Sequence, residues 1–239
     1  MVRWSKKIDF LSVRLPFLAF LLFLCSVQLM PKVFITTSSM DASKQPVAVN
    51  DIYFWMQLVA FVFIVLVVSF YFEETFRKPS AHYIDAFKIG VFKAVFLRYI
   101  RLLLVMEFVY LPFVYACVFR ANRNISYNME FFNRTFELID PWKPIFQCAV
   151  FMLFSVTATL FLMTVLKSKV FTLVLAMAIC IMEIRVFPIV FGEYTLFRGA
   201  GMLAPDYFSF FPPNIIVMLV LTVIFIIASL VLYRARKLG

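Results

Sequence analysis

Residues 52–72, IYFWMQLVAFVFIVLVVSFYF, run directly into residues 73–101, EETFRKPSAHYIDAFKIGVFKAVFLRYIR. The first stretch has no charge and, as a helix, would extend about 31 Å, the thickness of a bilayer's hydrocarbon core. Its ends carry Tyr53, Phe54 and Trp55 on one side and Phe70, Tyr71 and Phe72 on the other, the aromatic belts of a membrane crossing. The second stretch is a charged hinge, and it stops where another apolar run, residues 102–119, begins. A hinge bounded by two spans is a loop at the membrane surface, and it is where residue choice is least dictated by hydrocarbon.

Composition agrees. Hydrophobic residues make up 64% of the 239-residue chain, against about 45–50% in soluble domains, and the mean hydropathy is +0.96. The expected class is therefore an all-α polytopic membrane protein forming a single transmembrane domain over residues 1–239. The net charge of +10 is read as membrane orientation and not as a nucleic-acid surface. Cys25, Cys117, Cys148 and Cys180 all fall in apolar runs without a CxxC pair, and His82 is the one histidine, so no metal site is expected.

Six spans are expected, at about residues 15–30, 52–72, 102–119, 144–166, 170–190 and 214–233. Ahead of them, Trp4, Ile8, Leu11 and Leu15 recur at helical spacing, which predicts an interfacial amphipathic helix over residues 1–14 that is retained and not cleaved as a signal peptide. Residues 120–143 read as a mixed loop closed by the Asp140-Pro141 turn signal. Lys167-Ser168-Lys169 is short enough to force an antiparallel hairpin between the fourth and fifth spans. Beyond Met182 come Glu183, Arg185, Pro188 and Gly192, so the fifth helix should break early. The aromatic, Pro-rich stretch 193–214 suits a re-entrant or interfacial excursion before the last span.

Six spans put both termini on one side. That side holds Arg3, Lys6, Lys7, Arg14, Arg77, Lys78, Lys88, Lys93, Arg98, Arg101, Lys167, Lys169, Arg234, Arg236 and Lys237 out of 23 basic residues. The positive-inside rule then makes the termini and the hinge cytoplasmic in a multi-pass protein of the cell membrane.

Within the hinge, Pro79 ends any helix continuing from the second span and Ser80 can cap a new one. Ile84, Phe87, Val91 and Val95 then share a face while His82, Asp85 and Lys88 point away, an amphipathic helix for lipid or a protein partner. This layout resembles the permease subunits of type 2 ABC exporters: an amphipathic N-terminal helix, six spans, acidic residues at the end of span two, a cytosolic helix before span three and a broken segment before span six. The resemblance implies that Glu73 and Glu74 match the acidic end of span two and that residues 79–88 match the coupling helix. Glu73, Glu74, Arg77, His82, Ile84, Asp85, Phe87 and Lys88 would then contact a separate ATP-binding subunit. It also implies pairing with a second permease subunit, as a homo- or heterodimer, with ATP and Mg on the partner. No cofactor is expected in this chain, which would be a transport subunit without its own ATPase site.

Two other readings compete. Glu73-Glu74-Thr75-Phe76-Arg77 resembles the glutamate-arginine motif of intramembrane CAAX-type proteases, but the histidines those enzymes take from later helices are missing. A membrane immunity or scaffold protein that binds a peptide without transport is the other alternative. With 5 Gly in the chain and no Gly-rich phosphate loop, nucleotide binding is not expected here. Glu107, Glu183 and Arg185 are ionisable groups inside spans, and such groups usually face a cavity or a partner. They are the candidates for a translocation path or subunit contact, with snorkelling to the outer edge as the alternative for Glu183 and Arg185. The expected cargo is a hydrophobic or amphipathic substrate, a peptide or an antibiotic.

Overall fold

The computed structural model describes residues 2–29, 35–36, 48–49, 51–76, 91–132, 138, 140–197 and 211–237. These form helices α1 (Val2–Leu29), α2 (Asp51–Phe76), α3 (Val91–Phe132), α4 (Trp142–Leu166), α5 (Lys169–Arg185), α6 (Phe187–Phe191) and α7 (Pro213–Lys237), with a short 3-10 turn at Gly192–Tyr194. The chain is thus helical, apart from one departure from the all-α expectation: β1 (Ile35–Thr36) and β2 (Ala48–Val49) pair antiparallel between α1 and α2. Three helices are long and apolar enough to cross a membrane, over Val95–Arg120 in α3, Trp142–Leu166 in α4 and Pro213–Leu232 in α7. Shorter apolar stretches lie in α1 (Arg14–Gln28) and α2 (Gln57–Glu73).

Several boundaries differ from expectation. No break separates an interfacial helix from a first span: α1 runs through residues 14 and 15, with Pro16 inside it. A proline removes one ladder donor, and a helix continuing on both sides can absorb that loss. The loop expected from Arg120 is helical to Phe132, which makes α3 a 42-residue helix. Its length is about 63 Å, twice a bilayer core, so the polar stretch past Arg120 continues the rod instead of turning. The amphipathic face expected over Ile84 and Phe87 lies outside the described residues, whereas Val91 starts α3.

The turns are legible in detail. Asp140 Oδ1 accepts the Trp142 N–H at 3.1 Å in an Asx-type turn just ahead of α4, whose N-cap is Pro141. At the other end Lys167 takes a left-handed conformation, φ 54°, while its N–H bonds Met163 O, and α5 departs at Lys169 as the antiparallel arm of the hairpin. α5 is 17 residues long and stops at Arg185. Pro188 sits in the first turn of α6 and cannot donate back to continue the ladder. Gly192 follows at φ 53°, ψ −116°, a conformation that a side chain would strain.

α4 is the centre. It packs against α2, α3, α5 and α7, and its hydroxyls stay satisfied in apolar surroundings by bonding back along the helix: Ser155 to Phe151 O, Thr157 to Leu153 O, Thr159 to Ser155 O and Thr164 to Leu160 O, each at 2.7 Å. Phe146 meets Phe211 at 5.3 Å and Phe161 stacks on Phe225 at 4.8 Å, so α4 and α7 run in the same direction. Tyr110 of α3, fully buried, stands between Phe20 of α1 at 6.3 Å and Phe151 of α4 at 6.2 Å. Outward faces are apolar too: Phe108 is 82% exposed and Ile189 85%.

Truncating the inner ring should therefore cost far more than truncating an outer one. Phe151→Ala is expected to lose about 3–5 kcal/mol, and Phe108→Ala less than about 0.5 kcal/mol. Thermal unfolding of the detergent-solubilised protein measures both.

Candidate functional site

The buried charged side chain among the described residues is the carboxylate of Glu183, on α5 two residues before the helix ends. Its side chain is 0% exposed. Oε1 accepts the Leu196 N–H at 2.8 Å and Oε2 the Phe197 N–H at 3.3 Å. A carboxylate gripping two successive amides compensates a turn that has left helical geometry, because backbone donors have no water to turn to at this depth. The turn is held from the other side as well, since Asn214 Nδ2 at the start of α7 donates to Leu196 O at 3.5 Å. Thr195 closes it, its N–H at 3.4 Å and its hydroxyl at 3.2 Å both donating to Gly192 O.

The turn delivers one aromatic side chain to the middle of the bundle. Phe197 is 0% exposed, 5.1 Å from the Phe61 ring of α2 and 5.7 Å from the Phe151 ring of α4. Through Phe151 it joins the Tyr110–Phe20 series, and the level of Phe197 is filled by rings from α1, α2, α3 and α4.

A second cluster ties the far end of the same helix. Lys169, the first residue of α5, forms an ion pair with Glu73 of α2 at 2.9 Å and lies 4.5 Å from the centre of the Phe70 ring. Phe70 and Glu73 are one turn apart on α2, so the ammonium meets a carboxylate and a ring face together. This contact sets the end of α2 and the α4–α5 turn at the same end of the bundle. Tyr99 of α3 also belongs to that end: its hydroxyl is 2.8 Å from Thr157 Oγ1, and since Thr157 donates to Leu153 O, Tyr99 is the donor. At the opposite end Gln28 of α1 donates to Phe113 O at 3.3 Å and to Cys117 Sγ at 3.0 Å, while Arg120 donates to the Gln28 carbonyl and, at 3.4 Å, to its Oε1.

The residues singled out from the sequence therefore separate. Glu73 is at the α2 terminus in contact with Lys169. Glu74 follows it in α2, its side chain outside the described residues, and Arg77, His82, Ile84, Asp85, Phe87 and Lys88 lie outside them altogether. Glu107 is half-buried in α3. Glu183 and Arg185 part as their spacing requires, the first buried and the second exposed. Glu183 does not snorkel to an edge; it turns inward onto its own chain. Glu107, Glu183 and Arg185 are not joined to one another by any hydrogen bond or ion pair among the described residues.

Phe197, Asn214 and Lys169 were not among the sequence candidates. Lys169 read as a positive-inside residue, Asn214 as a span boundary and Phe197 as one of 32 phenylalanines. No three His, Cys, Asp or Glu side chains converge as metal ligands among the described residues. Compared with known protein families, curated proteins and solved structures, the chain matches none.

The two anchors should differ in cost. Glu183→Ala strands two buried amide donors, at about 1–3 kcal/mol each, whereas Lys169→Met removes a partly exposed pair worth about 1 kcal/mol or less. Chemical unfolding in mixed micelles ranks them, and equal losses would contradict the burial difference.

Proposed function

We propose that this chain is the transmembrane permease subunit of an ATP-driven exporter in the cell membrane. It crosses six times, through α1, α2, α3, α4, α5 with the broken α6 segment, and α7, with both termini cytoplasmic by the distribution of Lys and Arg. Two ATP-binding subunits, carrying ATP and Mg, dock on the stretch that leaves the end of α2, and a second permease subunit completes the pathway. The cargo is a hydrophobic or amphipathic peptide or antibiotic.

The observation that carries this reading is the join between α2 and α5. The Glu73–Lys169 pair fastens two helices at the end of the bundle from which residues 77–90 depart, so force on that stretch would reach more than one span. The broken segment ahead of α7, held by Glu183, adds the feature expected before the last span. Aromatic filling at the level of Phe197 favours a cargo path between two permease subunits over one through this bundle.

Affinity purification of the full chain from its native membrane is expected to bring down an ATP-hydrolysing subunit in stoichiometric amount. Phe87→Asp or Ile84→Asp, which charges the expected docking face, should remove that subunit and leave the chain folded. A chain that purifies alone, retains a bound peptide and shows no ATP-dependent export would favour the immunity or scaffold reading.

A further inference from the structure

α5 is attached to the bundle along a narrow line. Its buried residues are Thr172, Ala176, Cys180 and Glu183, one small side chain per turn followed by the carboxylate, while Phe171, Val174, Ile181 and Met182 face outward. Each end of this line carries a polar anchor to a different element: Lys169 to Glu73 on α2, and Glu183 to the Leu196–Phe197 turn. The turn in turn contacts α2, by Phe197 against Phe61. The contacts therefore close a three-membered loop of α2, α5 and the turn, joined at Glu73–Lys169, at Glu183 with the Leu196 and Phe197 amides, and at Phe197–Phe61.

Its two long sides are nearly equal. From Phe61 to Glu73 along α2 is about 18 Å, and from Lys169 to Glu183 along α5 about 21 Å. A closed loop of three stiff members has no internal freedom of its own, so a displacement at one joint is passed to the other two, as in the small sliding of packed helices. α4 packs against both helices of the loop and meets the turn through Phe151 against Phe197. An axial shift at the end of α2 would thus be carried by α5 to the turn and change how Phe197 seats on Phe151.

We propose that α5 is a relay, in which Lys169 takes up displacement of the α2 terminus at Glu73 and Glu183 delivers it to the Leu196–Phe197 turn, unseating the Phe197 ring from the bundle centre. Lys169 and Glu183 are positioning residues. The biological sense of the relay rests on the permease reading, since a docked ATPase would supply the displacement, but the coupling exists in the chain alone.

Hydrogen–deuterium exchange of the full chain in lipid nanodiscs, without any partner, tests it at the amides of residues 195–197. Glu183→Ala should accelerate exchange there directly. The decisive variants are Lys169→Met and Glu73→Gln, about 21 Å away. Each should accelerate the same amides by roughly two- to fivefold, bounded by what the loss of the pair itself can supply. The double variant should do no more than either single one, because both break the same joint. Lys169→Arg, which keeps the charge, should exchange like the wild type. Unchanged exchange at 195–197 in Lys169→Met and Glu73→Gln overturns the relay, as does acceleration spread evenly through α4, which would mean general loosening. Because no ATPase is present, failure here leaves the permease reading standing, and failure to recover an ATPase leaves these exchange rates untouched.

Discussion

A chain that turns back inside an apolar bundle must find partners for amides that a helix would have satisfied, and here one carboxylate supplies them. Each stranded buried donor would cost about 1–3 kcal/mol. Charge-assisted bonds from a carboxylate to backbone N–H are roughly twice as strong as neutral ones, so Glu183 can hold a segment that has abandoned regular structure. Everything near the bundle centre depends on this. Without the grip on Leu196 and Phe197, the Phe197 ring between Phe61 and Phe151 would be left to its ring contacts and to the weaker Asn214 and Thr195 bonds of the turn.

Packing around that point follows from an unusual residue economy. Helices in lipid gain nothing from removing each other's apolar surface from water, so they associate through shape and polar contacts. With 5 Gly and 32 Phe, this chain cannot rely on close backbone approach everywhere, and rings interlock instead, from Phe20 through Tyr110 and Phe151 to Phe197 and Phe61. Such interlocking is directional, since offset and edge contacts are favoured over face-to-face sandwiches. It also fills space at the level of Phe197.

How much of this was legible depends on where each signal lies in the chain. The α4–α5 turn could be read because two spans separated by Lys167 and Ser168 have no other geometry, and the end of α5 because Pro188 and Gly192 act locally. The helical extension of α3 to Phe132 could not, since Arg120, Asn122, Arg123 and Asn124 look like a loop until a long preceding helix is there to propagate into them. Glu183 was visible as a charge in a span, but its partner is backbone, and an amide N–H has no sequence signature. The Glu73–Lys169 pair joins residues 96 apart; each was noticed, one as an acidic span end and the other as a basic loop residue, and only the fold brings them together.

The same economy bears on α5, the helix to which the proposed relay assigns displacement. Thr172, Ala176 and Cys180 make a small-residue line at four-residue spacing, along which it lies close to α2 and α4. Close approach through small side chains has few interlocking knobs, so axial sliding meets less resistance than it would at the ring-filled α3–α4 or α4–α7 contacts. A helix that slides easily and is not anchored would drift, and one anchored everywhere would not move. α5 is anchored at two points, Lys169 and Glu183, and each anchor is polar and therefore geometry-dependent, holding firmly in register and weakening steeply once donor and acceptor separate.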